Sequence, residues 1–251
     1  MAKRRHTRRR RRHHRGLGVL YKLLSVIAIS AAIVVALTLF FKVNNITVSG
    51  TTQYSSDEII AASGVKTGDN LFLLNKFEIS DGIIEKLPYI SSVSISRKLP
   101  DTLLIDVTDS NQGGVIQQGK DYWVVSSGGK LLGKRAEAGS GALIRGITLQ
   151  DPQVGRTVEA AEGQERKLEQ LLELFDALEE KGMLPGVTGI DFSEDNVISM
   201  DYAQRFAVRF AYGADFAYKL SNLNQVIEQL EENEQGIIDL TVDGRANVIP
   251  Q

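Results

Sequence analysis

Nineteen consecutive uncharged residues, 23–41, constrain this chain more than anything else in it. Only Ser25, Ser30 and Thr38 among them are polar. As a helix the stretch covers about 28 Å, close to the roughly 30 Å hydrocarbon core of a bilayer. Leu17, Val19, Leu20 and Tyr21 can extend it, with Lys22 reaching toward the headgroups. Its length and lack of charge separate it from a buried core helix. A cleaved signal peptide would have a shorter apolar run and a small-residue cleavage site. Here Phe40-Phe41-Lys42-Val43-Asn44 follows, with no Ala-x-Ala. The expectation is an uncleaved transmembrane helix over residues 23–41.

Charge is divided sharply about that helix. Residues 1–22 hold ten Lys and Arg and no acid, leaving 19 basic against 31 acidic residues beyond, a net of −12. The positive-inside rule puts the basic tail in the cytoplasm and residues 42–251 outside. Arg8 to Arg12 invite a nucleic-acid reading, but no aromatic residue is interleaved for stacking. Topology and attraction to anionic membrane lipids account for the run more simply. No nucleic-acid partner is expected.

The exterior reads as two units. Ile46-Thr47-Val48 alternates as a short strand. Ser55 with Glu58 makes a capping box that opens a helix through Ala62. Leu71-Phe72-Leu73-Leu74 reads as a buried apolar run, and a second helix from Lys76 to Leu87 stops at Pro88. Two strands about Val93 to Ser96 and Leu103 to Val107 flank a turn at Leu99-Pro100-Asp101. The order is β-α-α-β-β over residues 42–109, with both helices on one face of the sheet.

From residue 110 to 242, short strands and Gly-rich turns prevail. Gln112-Gly113-Gly114 and Gln117-Gln118-Gly119 punctuate them, and Ser126-Ser127-Gly128-Gly129 reads as a hairpin turn. Leu143-Ile144 begins another strand that stops at Gly146. Residues 164–181 form an amphipathic helix with Leu168, Leu171, Leu172, Phe175 and Leu178 inward. Strands near residues 187–192, 196–201 and 206–212 follow. A second amphipathic helix over 215–230 turns Phe216, Leu220, Leu223, Val226, Ile227 and Leu230 inward. A last strand, Ile237-Ile238-Asp239-Leu240-Thr241-Val242, precedes a tail over 243–251. The expected fold class is α+β: a single N-terminal transmembrane helix, the small β-α-α-β-β domain, then a mostly antiparallel β domain with two amphipathic helices.

The residue inventory argues against enzymatic catalysis. His6, His13 and His14 all lie in the tail, and there is no cysteine. The exterior therefore lacks Ser-His-Asp and Cys-His catalysis and the usual zinc ligands. No metal or cofactor is expected. Ser63-Gly64-Val65-Lys66 and Ser127-Gly128-Gly129-Lys130 match S-x-x-K, and Lys66-Thr67-Gly68 matches K-T-G. In penicillin-binding enzymes those motifs supply different residues to one site. Here they share Lys66, so they read as chance. No P-loop or G-x-G-x-x-G occurs. Acid pairs such as Glu179-Glu180 and Glu231-Glu232 fit solvated surfaces.

Several exterior motifs occur in a characteristic order. Ile46-x-Val48-x-Gly50, Ser55-x-x-Glu58-Ile59, Gly64-Val65-x-x-Gly68-x-Asn70-Leu71-Phe72, Leu87-Pro88-Tyr89-Ile90 and Arg97-x-Leu99-Pro100-Asp101-Thr102-Leu103-x-Ile105-x-Val107 follow a basic tail and one anchor. This set resembles a POTRA domain. From about residue 16 to its end, the chain resembles the bacterial cell-division family FtsQ/DivIB. Tyr122-Trp123-Val124-Val125, Ile144-x-Gly146, Pro152-x-x-Gly155, Val208-x-Phe210-x-Tyr212-Gly213 and Gly236-Ile237-Ile238-Asp239-Leu240 continue the likeness. Thr108-Asp109-Ser110-Asn111 departs from the family's pattern, and Ser127 stands where an Asp is usual.

The resemblance implies a non-enzymatic divisome scaffold at the division septum. It would bind FtsL and FtsB/DivIC and help to recruit or regulate the septal peptidoglycan synthase. In the family the last strand pairs with a strand of FtsB/DivIC, here Ile237, Ile238, Asp239, Leu240, Thr241 and Val242. Tyr218, Lys219, Asn222 and Gln225 on the preceding helix are further partner-binding candidates. A physical argument points the same way: a terminal strand with little chain after it would expose an edge able to recruit another strand. The alternatives are a POTRA-bearing protein of secretion or envelope assembly and a wall-active enzyme.

Overall fold

The computed structural model describes residues 15–231, 233–242 and 244–250. The expectations for residues 1–14, among them the Arg8 to Arg12 run and the three histidines, lie outside the described residues.

Helix α1 (Arg15–Phe40) begins earlier than the apolar run alone indicates. Its 23 residues from Gly18 to Phe40 are long and apolar enough to cross a membrane, and none is packed inside the protein. One charge at Lys22 and no proline leave nothing to stop the helix near residue 23. Its end is capped from the exterior domain: the Asn70 side-chain amide donates to the Leu37 and Thr38 carbonyls, each at 3.2 Å. Leu37 O also accepts from Phe41 N–H at 3.3 Å, and the last carbonyls of a helix commonly take partners from outside it. Leu71 N–H donates to Phe41 O at 2.9 Å and Val43 N–H to Asp69 O at 2.8 Å. Val43 is already fully buried in the domain core. Helix and domain are thus joined with almost no free linker.

The first domain comprises β1 (Asn45–Thr51), α2 (Ser56–Ser63), α3 (Lys76–Lys86), β2 (Ile90–Lys98) and β3 (Thr102–Asp109). The strands lie in the order β1-β3-β2; β1 runs parallel to β3 and β2 antiparallel to it. The capping box forms: Glu58 N–H donates to Ser55 Oγ, and Ser55 N–H to the Glu58 carboxylate at 2.8 Å. Ile59, Ala62, Ile79 and Ile83 of the helices close over Ile95, Leu103, Ile105 and Val107 of the sheet. Gly50 has φ +109°, and a Cβ there would stand 1.9 Å from Val107 O, so the two backbones require glycine. The run 71–74 departs from expectation. Leu71 is fully buried, but Phe72 and Leu73 face outward because the loop folds back to cap α1.

The second domain contains β4 (Gln112–Gln118), β5 (Asp121–Ser126), β6 (Leu131–Arg135), β7 (Ala142–Arg145), α4 (Glu165–Glu180), β8 (Val187–Asp191), β9 (Val197–Tyr202), β10 (Phe206–Ala211), α5 (Phe216–Ile227), β11 (Gly236–Asp239) and β12 (Asn247–Pro250). They form one nine-stranded sheet in the order β12-β11-β10-β9-β8-β7-β4-β5-β6. It is mostly antiparallel, with parallel pairings at β10–β11, β7–β8 and β4–β7. The core joins Leu171, Leu174, Phe175 and Leu178 of α4 and Leu220 and Leu223 of α5 to Phe192, Phe210 and Ile238. The inward face of α4 is wider than the expected stripe, adding Leu174 and Ala177.

Gly113 and Gly114 do not punctuate strands; both lie inside β4. A Cβ on Gly113 would come 2.7 Å from the Phe175 ring, so glycine there makes room for α4. At the junction between the domains, just after β3, Ser110 N–H donates to Tyr89 O at 2.7 Å. Lys130 Nζ also reaches across to Ile84 O at 3.0 Å and Ile90 O at 3.3 Å.

Candidate partner-binding surface

The far end of the large sheet is built from β10, β11, β12 and α5. Strand β11 is shorter than expected, and its edge is covered. Asp239 ends it: its carboxylate accepts from Thr241 N–H at 2.9 Å and from Thr241 Oγ1 at 2.6 Å. A side chain that bonds backbone two residues on turns the chain out of the strand. The Thr241 hydroxyl and then its amide hold the Asp239 carboxyl below its ordinary 3.8; Arg209 and Lys219 lower it further, and burial opposes them. Leu240 N–H still reaches Arg209 O at 2.9 Å.

The residues after Val242 return as β12. Its antiparallel register pairs Gly236 with Pro250, Ile237 with Ile249, Ile238 with Val248 and Asp239 with Asn247. The expectation of an uncovered edge at residues 237–242 is therefore corrected over residues 237–239, where β11 is bonded to β10 on one side and to β12 on the other. The close approach depends on Gly236, whose φ is +156° and whose Cβ would stand 2.2 Å from Ile249 O. Four residues ending at a proline carry little strand signal, which is why sequence reasoning missed β12. The available hint was the Asp-Gly pair at positions 243 and 244 of the sequence, a common turn signal after an apolar strand.

The candidate side chains divide by burial. Ile238 and Leu240 are buried in the core, and Ile237, Asp239 and Thr241 are half-buried. Val242 and Tyr218 are half exposed, at 54% and 50%. Gln225 is exposed and Asn222 half-buried, on the stripe of α5 that carries Tyr218. Lys219, expected at the surface, is buried instead, and its ammonium donates to Val242 O at 2.9 Å. Its position next to Leu220 puts it on the inward face, where it ties α5 to the segment after β11. All side chains of β12 are exposed, and Val248 and Ile249 add to the apolar surface at Val242.

The Ser-Lys motifs form parts of turns. Ser63 Oγ donates to Ile60 O at 2.6 Å and accepts from Val65 N–H. Burial pushes the Lys130 pKa down, and its ammonium bonds the two carbonyls at the domain junction. No group of three or more His, Cys, Asp or Glu side chains able to hold a metal occurs among the described residues.

Comparison with known proteins matches this architecture. Residues 41–109 fit the family model for the POTRA domain of FtsQ type, which spans β1 to β3 with both helices. The cell division protein DivIB of Clostridium acetobutylicum is 30% identical over 209 residues, covering 82% of this chain and 81% of that protein. The chain belongs to the FtsQ/DivIB family. Two other FtsQ/DivIB proteins are similar over most of the chain. DivIB of Clostridium botulinum is 25% identical over 228 residues, 88% of this chain and 87% of its own. FtsQ of Geotalea daltonii is 28% identical over 211 residues, 79% and 71% of the two chains. These relatives are named as cell division proteins, and the one helix among the described residues that is long and apolar enough to cross a membrane fits a single-pass membrane protein.

Proposed function

We propose that this chain is a non-enzymatic scaffold of the divisome, held in the cell membrane at the septum with its basic tail in the cytoplasm and both domains outside. It binds the exteriors of FtsL and FtsB/DivIC and helps to recruit or regulate septal peptidoglycan synthesis. The basic tail attracts anionic lipids. Docking occurs at the β11 end of the large sheet, where a partner strand takes the place of β12 beside Ile237, Ile238, Asp239 and Leu240. Thr241 and Val242 adjoin that strand, and Tyr218, Asn222 and Gln225 of α5 flank it. Lys219 supports the surface from beneath.

The observation that carries this reading is the character of β12: four residues bonded through backbone, with every side chain exposed. A strand held by its main chain alone is readily exchanged for a longer one that also packs side chains. Ile238→Pro is a poor probe, because Ile238 is fully buried and paired on both sides. The better test is capture of the FtsL and FtsB/DivIC exteriors by the full chain and by a chain ending at Arg245. Removing β12 is expected to strengthen capture about tenfold, as an occupied edge becomes free. Loss of capture would move docking to the outer edge of β12. Unchanged capture would remove this end of the sheet from consideration.

A further inference from the structure

In the first domain four large apolar side chains are exposed among the described residues: Phe72 at 50%, Leu73 at 77%, Phe77 at 82% and Leu99 at 55%. All four lie at the end of the domain that receives α1. Phe72 and Leu73 follow directly on Asn70, whose amide caps the helix. Leu74 O accepts from Arg97 Nη2 at 2.9 Å, which fastens this loop to the β2–β3 turn carrying Leu99. That turn also bonds the start of β1, where Asn44 N–H donates to Asp101 O at 2.9 Å. Phe77 occupies the first turn of α3, just beyond the same loop. An aromatic chain runs from the anchor into the patch: Phe40 against Phe41 at 5.4 Å between centroids, and Phe41 against Phe72 at 5.0 Å.

We propose that this end of the domain is a second membrane-contacting surface, with Phe72, Leu73, Phe77 and Leu99 seated in the interfacial layer of the leaflet nearest the domain. The occupant follows from the attachment. Only Phe41 and Lys42 separate the end of α1 from the buried Val43, a reach of about 10 Å at most. The tether therefore keeps the patch within reach of the bilayer surface while α1 spans it. Aromatic and aliphatic side chains favour the headgroup boundary over water. Exposed Lys42, Lys76 and Lys98 rim the patch and suit lipid phosphates. Of the nearby acids, Asp69 accepts from Lys66 N–H and Asp101 from Asn44 and Asn45, and Glu78 is exposed beside Phe77 in the first turn of α3. Four side chains in the interface, added to the helix, define how the domain stands on the membrane. A lone helix anchor would leave it free to rock.

The test uses the full chain in nanodiscs of phosphatidylcholine and phosphatidylglycerol. The protein has no cysteine, so Leu73→Cys, Phe77→Cys, Leu99→Cys and the distant Asp57→Cys each take a single environment-sensitive fluorophore. Labels at 73, 77 and 99 are expected to be quenched by spin-labelled lipid about threefold more than the label at 57, and to resist aqueous iodide. Adding Leu73→Ser and Phe77→Ser to Leu99→Cys should return the label at 99 to the level of 57 with the melting temperature unchanged, since neither side chain is in the core. Iodide access at 73 and 77 equal to that at 57 would overturn the proposal. So would lipid quenching at 99 that survives the double substitution, because the tether alone would then hold the domain. Shielding from both quenchers would assign the patch to a second copy of the chain and would equally reject the lipid contact.

Discussion

Asp239 shows how one side chain determines where a strand stops. By bonding both the amide and the hydroxyl of Thr241 it turns the backbone away after four paired residues. A carboxyl whose pKa is lowered on folding stabilises the fold fully above its unfolded value and loses that contribution as pH falls through the folded value. Thr241→Val removes the largest cause of the shift. Carboxyl NMR should show Asp239 titrating closer to 3.8 in the variant than in the wild type. Urea unfolding should show the variant less stable at pH 7, with the difference fading as pH drops below the folded pKa. An Asp239 titration identical in the two proteins would refute the assigned cause.

At the scale of elements, helix periodicity and capping were legible and strand boundaries less so. The box at Ser55 and Glu58 and the apolar spacing of α4 and α5 are local properties, and the structure contains all three helices where expected. Strand β4 was divided at its glycines because glycine usually marks a turn. Its glycines serve instead to let α4 approach. Gly113→Ala should cost about 1–3 kcal/mol in urea unfolding, since the fully buried Phe175 ring has nowhere to move. Gly128→Ala, with open space around it, should change stability by no more than about 0.5 kcal/mol. Equal effects at the two positions would show that the helix yields to the new methyl group.

For the whole molecule, Lys130 joins the two exterior domains. Its ammonium sits between carbonyls of α3 and of the first residue of β2, and burial lowers its pKa without removing its role as a donor. Hydrogen bonds to a charged group contribute about 1.5–3 kcal/mol each. Lys130→Met keeps the apolar stem but leaves Ile84 O and Ile90 O without this donor. Spin-label distances between Asp57 and an exposed α4 position such as Glu173 should broaden in the variant, while circular dichroism stays the same. A distribution as narrow as that of the wild type would mean that the Ser110–Tyr89 bond and side-chain packing suffice.

The amino-acid sequence alone determined the anchor, the division of charge about it, the order of the first domain, the helices and the family likeness. Each rests on spacing within a short window or on motifs read in order. Tertiary structure decided what depends on residues far apart. It buried Lys219 against Val242, turned Phe72 and Leu73 outward by drawing Asn70 to the end of α1, and returned the last residues onto β11. A strand's edge is covered or open according to what chain lies beside it, and no local pattern carries that information.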